Sequence, residues 1–297
     1  MPDPATKKRL IAQRLPELQG LLDPCRLCPR NCLVVRTRGE AGECGILDKV
    51  VVSSIGLHRG NEFLISGYNG SGNIFAAGCN LHCVYCQNWD VSQDRNGRAM
   101  EAAELARHML LLQDHGAHNI NCVTPTHVVP MLLEAFMIAC GDGLHLPLVY
   151  NTSGYDALAT LQLLDGIVDV YLPDMKYGNA EIALRYSDVE DYPRHNQAAV
   201  LEMYRQVGPL QRDEHGVAAR GVLVRHLVLP NGLGSSEKIL NFLDETVPGP
   251  VDVNIMQQYR PCWQAARYPE LNQHITDVEF DAVVALARGK NTLRLVE

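Results

Sequence analysis

The sequence predicts an α/β protein built from repeated strand–helix units. Three observations carry this. Six short apolar runs, rich in β-branched residues and bounded by turn residues, read as buried parallel strands. Stretches with apolar residues at helical spacing lie between them. And 297 residues suffice for one large α/β domain or two small ones.

Ile74-Phe75-Ala76-Ala77 is the first run. Ala102, Leu105, Met109 and Leu112 then recur on one helical face, and Ile120-Asn121-Cys122-Val123 follows. Leu148-Val149-Tyr150 precedes a helix carrying Leu158, Leu161 and Leu164, and Ile167 to Leu172 is the fourth run. Val222-Leu223-Val224 with Leu227-Val228-Leu229 forms the fifth, before a helix with Ile239, Phe242 and Leu243. Val251 to Met256 is the sixth. Six such units predict a parallel barrel or an open doubly wound sheet, and the pattern alone is compatible with both. Residues 1–50 read as a cysteine-rich N-terminal extension, helix-poor after its first helix, and residues 51–297 as the strand–helix domain.

A net charge of −8, with no basic run, argues against a broad nucleic-acid footprint. No apolar stretch approaches membrane-spanning length, and the N-terminus lacks a signal-peptide core. Of ten cysteines, seven fall in two tight groups with metal-ligand spacing, which fits a reducing cytoplasm.

The first group is Cys79-x3-Cys83-x2-Cys86, with Tyr85 before the last thiol. Three thiolates on one loop can hold three corners of a 4Fe–4S cube and leave the fourth iron without a protein ligand, unlike the four-cysteine clusters of electron carriers. An open iron can be chelated by the amino and carboxylate groups of S-adenosylmethionine (SAM), whose sulfonium is then split by an electron from the cluster to release a 5′-deoxyadenosyl radical. The competing readings are a zinc knuckle or three unrelated thiols. Zinc wants a fourth ligand, and His82, adjacent to Cys83, is poorly placed to complete a tetrahedron.

The segment resembles the radical SAM superfamily signature. Ser71-Gly72-Asn73-Ile74-Phe75 through Cys79, with Cys86-Gln87-Asn88-Trp89, is similar to the PflX-type relatives of pyruvate formate-lyase activating enzymes, from about Cys25 to the end of the chain. The resemblance implies a partial (β/α)6 parallel barrel, open on one side to a large substrate.

It also gives roles to the strand ends, where parallel α/β folds gather their chemistry. Thr124-Pro125-Thr126-His127 stands where activating enzymes carry Gly-Gly-Glu for the SAM amino group, so Thr124 and Thr126 are the substitutes on offer. His127 reads as a ligand, a base or a helix cap. Asn151-Thr152-Ser153-Gly154 resembles the activases' Asp-Thr-Asn-Gly and implies contacts to the cofactor's ribose or carboxylate; an ordinary turn capped by Ser153 is the alternative. Asp174-Met175-Lys176 resembles their Asp-x-Lys, which implies a monovalent-cation site at Asp174 and Thr152, with Asn151 in place of an aspartate, and a carboxylate contact from Lys176. A surface ion pair is the plain alternative. Arg225 matches an arginine that touches the cofactor, and its fork suits a carboxylate. His226 points the other way along the strand, toward packing. Tyr85 corresponds to an aromatic lying on the adenine, or else packs the loop. Met256 and Gln258 are candidates at the last strand end.

The second group, Cys25-x2-Cys28-x3-Cys32-x11-Cys44, supplies the four thiols of a closed metal site, either structural zinc or an auxiliary 4Fe–4S cluster. Cys122, Cys140 and Cys262 read as small buried hydrophobes, with Cys262 also a radical-relay candidate. The expected function is reductive cleavage of SAM and hydrogen abstraction from an unidentified small molecule or protein, including activation of a glycyl radical protein. An electron donor such as a flavodoxin or ferredoxin is the expected partner. A non-catalytic iron–sulfur carrier is the rival; it has no need of Asp174, Lys176 and Arg225.

Overall fold

The computed structural model describes residues 2–60 and 62–296. Among these residues, ten strands form one sheet: β1 (Val50–His58), β2 (Ser71–Ala76), β3 (Arg98–Met100), β4 (Ile120–Val123), β5 (Leu148–Thr152), β6 (Val170–Pro173), β7 (Gln211–Arg212), β8 (Ala218–Leu227), β9 (Val251–Met256) and β10 (Leu293–Leu295). The spatial order is β10-β9-β8-β6-β5-β4-β2-β1-β3, with β7 paired to β8. The six strands expected from the apolar runs are β2, β4, β5, β6, β8 and β9. They lie side by side and parallel in that order. β10 adds a seventh parallel strand on β9, and β1 an antiparallel one on β2. Among the described residues, the end strands β3 and β10 do not pair with each other, so the barrel is partial.

Four of these strands escape the apolar-run criterion for physical reasons. β7 is two residues long, β3 and β10 are three, and β1 carries Ser53-Ser54 and Gly56 with an exposed second half. A short edge strand needs little apolar content because only one side of it is paired.

The helical periodicities describe the buried faces. The helix Ala102–Asp114 buries Leu105, Ala106, Met109 and Leu112, and the helix Ser236–Thr246 buries Ile239, Leu240 and Leu243. The helix Val129–Gly141 is apolar on most of its surface because the helices Pro4–Gly20 and Ala102–Asp114 both cover it. Pro4–Gly20 starts at Asp3, whose side chain accepts from Thr6 N at 3.0 Å, with proline in its first turn. Its Lys7 forms a buried ion pair with Asp169, just before β6. Ile11, Leu15, Leu18, Leu22 and Leu27 join the same core as the outward residues of β2, β4 and β5, so residues before β1 are packed on the barrel.

Strand alternation sorts the interior. Ile74, Cys122, Tyr150, Tyr171 and Val224 point out to the helices. Val149, Val170, Leu172 and Leu223 point in, forming an apolar layer with Leu64 and Ile65 of the short helix Phe63–Ser66. On β2 and β4 the inward positions are instead Asn73 and Asn121, paired in register.

Candidate active site

The cysteine loop leaves the end of β2 through Gly78. Its φ is +81°, and a Cβ there would stand 2.6 Å from the Cys44 carbonyl oxygen, so both conformation and space demand glycine. Cys79, Cys83 and Cys86 then line a cavity of about 160 Å³. Each sulfur has a polar neighbour: Leu81 N donates to Cys79 Sγ at 3.4 Å, Ser187 Oγ donates to Cys83 Sγ at 2.9 Å, and Ser92 Oγ lies 3.2 Å from Cys86 Sγ. His82 is engaged elsewhere, with Nδ1 2.9 Å from Gln93 Oε1 and Nε2 3.3 Å from Glu43 Oε2. It offers no fourth ligand. Burial pushes the Cys83 thiol pKa up, with the Lys176 charge working against that rise, so a metal has protons to displace on binding.

Asp174, Lys176 and Arg225 line the same cavity. Arg225 Nη2 is 2.7 Å from Asp174 Oδ1, and Lys176 Nζ donates to Asp174 Oδ2 at 2.7 Å. The Arg225 fork also donates to Asn151 Oδ1 at 2.8 Å and to Glu62 Oε1 at 3.3 Å. Burial disfavours the Asp174 carboxylate, yet Arg225 and then Lys176 outweigh it and hold the pKa below the ordinary value. In the same way burial opposes the Lys176 charge and Asp174 more than restores it. The surface ion-pair alternative does not describe this group, whose side chains are 14–17% exposed.

Thr124, Asn151, Thr152 and Ser153 reach the cavity wall. Thr124 has φ +57°, and its N–H donates to the Asn151 carbonyl at 2.8 Å, which turns the chain inward at the end of β4. Thr152 Oγ1 donates to Asp156 Oδ2 at 2.7 Å. Asp156 is a residue the sequence reading missed. It is 1% exposed and also accepts from Thr126 at 2.7 Å and Tyr150 at 2.9 Å. Its one sequence signal is a carboxylate four residues after Thr152 in a strand-end turn. Glu62 and Ser187 come from segments remote in sequence, whereas Ser92, six residues after Cys86, carries no motif signal of its own.

Tyr85 does not line the cavity. It is 5% exposed, its ring edge against Tyr177 and Tyr259 at centroid distances of 6.4 and 5.8 Å. Loop packing, the alternative reading for this side chain, describes its position. His127 is also outside the cavity; its Nε2 donates to the Ala77 carbonyl at 2.7 Å and burial depresses its pKa to about 4. His226 is a packing residue, tied to Met175 O at 2.7 Å and Ser236 Oγ at 2.8 Å. Cys122 and Cys140 are buried in the core, and Met256 is buried while Cys262 is half-buried after β9.

A second, larger chamber of about 500 Å³ meets the first along Phe75, Val123, Asn151 and Arg225. Asn73, Asn121 and Gln258 line it, and the Oδ1 atoms of both asparagines are buried without a hydrogen-bond partner. Cys25, Cys28, Cys32 and Cys44 line a separate pocket on the outer side of the loop.

The donor set fits an open-iron cluster and its cofactor. Three sulfurs, each with a polar neighbour, face one cavity whose wall holds Lys176 and Arg225, offset by Asp174, with Glu62 also 3.3 Å from Arg225. That wall can take the SAM carboxylate and tolerate the sulfonium. A partial parallel barrel with a three-thiolate loop at the first strand end defines a class of enzymes that use SAM as a radical source. Residues 73–225 match the Radical SAM superfamily family model. An uncharacterized protein of Methanocaldococcus jannaschii is 32% identical over 298 residues, covering 96% of this chain and 80% of that one. The chain belongs to the radical SAM superfamily. Membership implies a 4Fe–4S cluster and SAM.

Among solved structures, SuiB of Streptococcus suis bound to the precursor peptide SuiA overlays with TM-score 0.49 and 14% identity, over 74% of this chain and 47% of SuiB. A radical SAM methyltransferase from Sphaerobacter thermophilus gives 0.48 and 13%, over 84% and 78%. The chain thus spans about half the length of SuiB. Among the described residues, no helix is long and apolar enough to cross a membrane.

Proposed function

We propose that this protein reductively cleaves SAM at a cluster held by Cys79, Cys83 and Cys86 and abstracts a hydrogen atom from a polar substrate in the amide-lined chamber. The observation that carries the reading is that the three thiols and the Asp174–Lys176–Arg225 group line one cavity, which opens along Asn151 and Arg225 into the second chamber. Bound there, the cluster and SAM would supply a one-electron C–S cleavage and a carbon radical. The protein's part is positional. Lys176 and Arg225 would orient the SAM carboxylate, Asp174 would offset their charge, and the partnerless carbonyls of Asn73 and Asn121 would take N–H or O–H donors from the substrate.

A second reading, activation of a glycyl radical protein, is supported by the activase-like Asp174-x-Lys176 pattern. It makes the hydrogen a glycine Cα–H and the donors to Asn73 and Asn121 backbone amides. A cytoplasmic setting and a low-potential flavodoxin or ferredoxin as electron source accompany both readings.

The test is anaerobic. Reconstituted, reduced protein is given SAM and panels of metabolites and protein fractions, and 5′-deoxyadenosine is measured. Accumulation that rises with one fraction identifies the substrate, and a persistent glycyl radical signal selects the second reading. Reduced, cluster-loaded protein that neither binds nor cleaves SAM defeats the proposal.

A further inference from the structure

Cys25, Cys28 and Cys32 lie on one loop, drawn together by Cys25 N donating to Val34 O at 2.8 Å and Leu33 N donating to Cys25 O at 3.0 Å. Cys44 returns to the same pocket, and all four thiols line it. Three of the four are buried and none is in a disulfide. A Cβ on Gly42 would stand 3.0 Å from Cys32 Sγ, so glycine keeps that sulfur clear.

Two observations say what the pocket holds. The first is charge. Arg36 is 1% exposed, and its guanidinium donates only to the backbone carbonyls of Leu47 and His127. Among the described residues it has no ion-pair partner within 4.0 Å, a criterion met by other arginines such as Arg225 and Arg294. A buried cation with no direct ion pair is expensive; Asp23 acts on it only at longer range, and Arg36 also lines this thiol pocket. Four thiolates around a metal centre supply the missing negative charge; four neutral thiols do not.

The second is spacing. Zinc with bonds of about 2.3 Å requires its four sulfurs to lie roughly 3.8 Å apart. Among the described residues, the one trio of metal-ligating atoms mutually within 4.8 Å is Glu43, His82 and Asp188. No three of these four sulfurs come that close, and neither do those of Cys79, Cys83 and Cys86. The corners of a thiolate-ligated cube are wider, roughly 6 Å. Both cysteine groups are thus too open for a zinc tetrahedron and leave room for the wider cube.

We propose that Cys25, Cys28, Cys32 and Cys44 bind a second, fully ligated 4Fe–4S cluster that carries single electrons beside the barrel cluster. With every iron covered it has no open position for a substrate. Its placement suits the electron role: the Cys44 carbonyl packs against Gly78, one residue before Cys79, and Arg30 Nε, two residues after Cys28, donates to Asn80 O at 2.9 Å. On reduction, a one-electron donor of the flavodoxin or ferredoxin class loses one electron and this cluster gains it.

The test uses the full chain with Cys79→Ala, Cys83→Ala and Cys86→Ala together, reconstituted anaerobically and assayed for iron, sulfide and zinc. The expected result is about four irons and four sulfides retained, against about eight of each in the wild type, and one-electron reduction by dithionite. Retention of one zinc without iron, or of no metal, overturns the proposal; a retained cluster that cannot be reduced overturns its electron role. Should that variant fail to fold, the wild-type total decides, since about four irons instead of eight also overturns it. Because the variant lacks the SAM cluster, the outcome is independent of whether SAM is cleaved.

Discussion

Asp174 and Arg225 meet across the ends of β6 and β8, where an isolated parallel bridge joins their backbones and their side chains approach to 2.7 Å. The backbone bridge sets the register and the ion pair fills the space just past the last ladder bond. One arginine fork thereby links Asp174, Asn151 and Glu62, groups from three different parts of the chain.

Arg225→Ala and Lys176→Ala are each expected to weaken SAM binding by roughly tenfold or more, with the cluster absorption unchanged. Arg225→Lys should restore little, since a single ammonium cannot span three partners. Equilibrium binding of SAM to the reconstituted variants checks this, and wild-type affinity in both alanine variants would place these side chains outside the binding site.

Ser187 donates to Cys83 Sγ, and such a bond favours the more negative, reduced cluster. Ser187→Ala should therefore lower the cluster's reduction potential by tens of millivolts, the order of one hydrogen bond. A spectroscopic redox titration reads the shift; an unchanged or raised potential contradicts the assigned bond.

Asp156→Ala strips the acceptor from three buried hydroxyls, those of Thr126, Tyr150 and Thr152, and should cost on the order of 3 kcal/mol. Burial raises the Asp156 pKa above 3.8, against its hydrogen bonds. Between 3.8 and the folded value, the folded protein holds a proton that the unfolded chain has lost. This residue's contribution to unfolding free energy therefore falls as pH rises through that window and is level above it. Denaturant melts of wild type and Asp156→Asn across acid pH should differ by that slope.

Lys7 and Asp169 tie the first helix to the barrel from opposite ends of a buried pair. Lys7→Ala leaves Asp169 buried without its cation and should cost about 3 kcal/mol. Lys7→Met with Asp169→Asn should recover much of that loss, because the amide can still accept from Leu148 N. Thermal melts of the two variants would show whether the pair is the contact that matters.

The reach of the sequence differs from residue to residue. Cys79, Cys83 and Cys86 are legible because their ligand spacing is local, and the six core strands because each is a continuous apolar run. Asp174 and Lys176 are readable as a pair because they stand two residues apart just past the apolar run of β6. Tyr85 could be read two ways, against the adenine or as loop packing, because its ring partners Tyr177 and Tyr259 lie about 90 and 170 residues away in the chain.

By itself, the sequence determined the three-thiolate loop, the strand–helix alternation and the charged strand ends, all set by neighbours within a few residues. Tertiary structure alone decided that Glu62 closes on Arg225, that Ser187 stands beside the Cys83 sulfur, and that Arg36 is buried without an ion pair beside four thiols. It also decided that Asn73 and Asn121 face an inner chamber while Ile74 and Cys122 face the helices. The physical reason is the same in each case. Local spacing fixes which residues share a face, but only closing the sheet decides which face becomes the inside and which distant groups meet there.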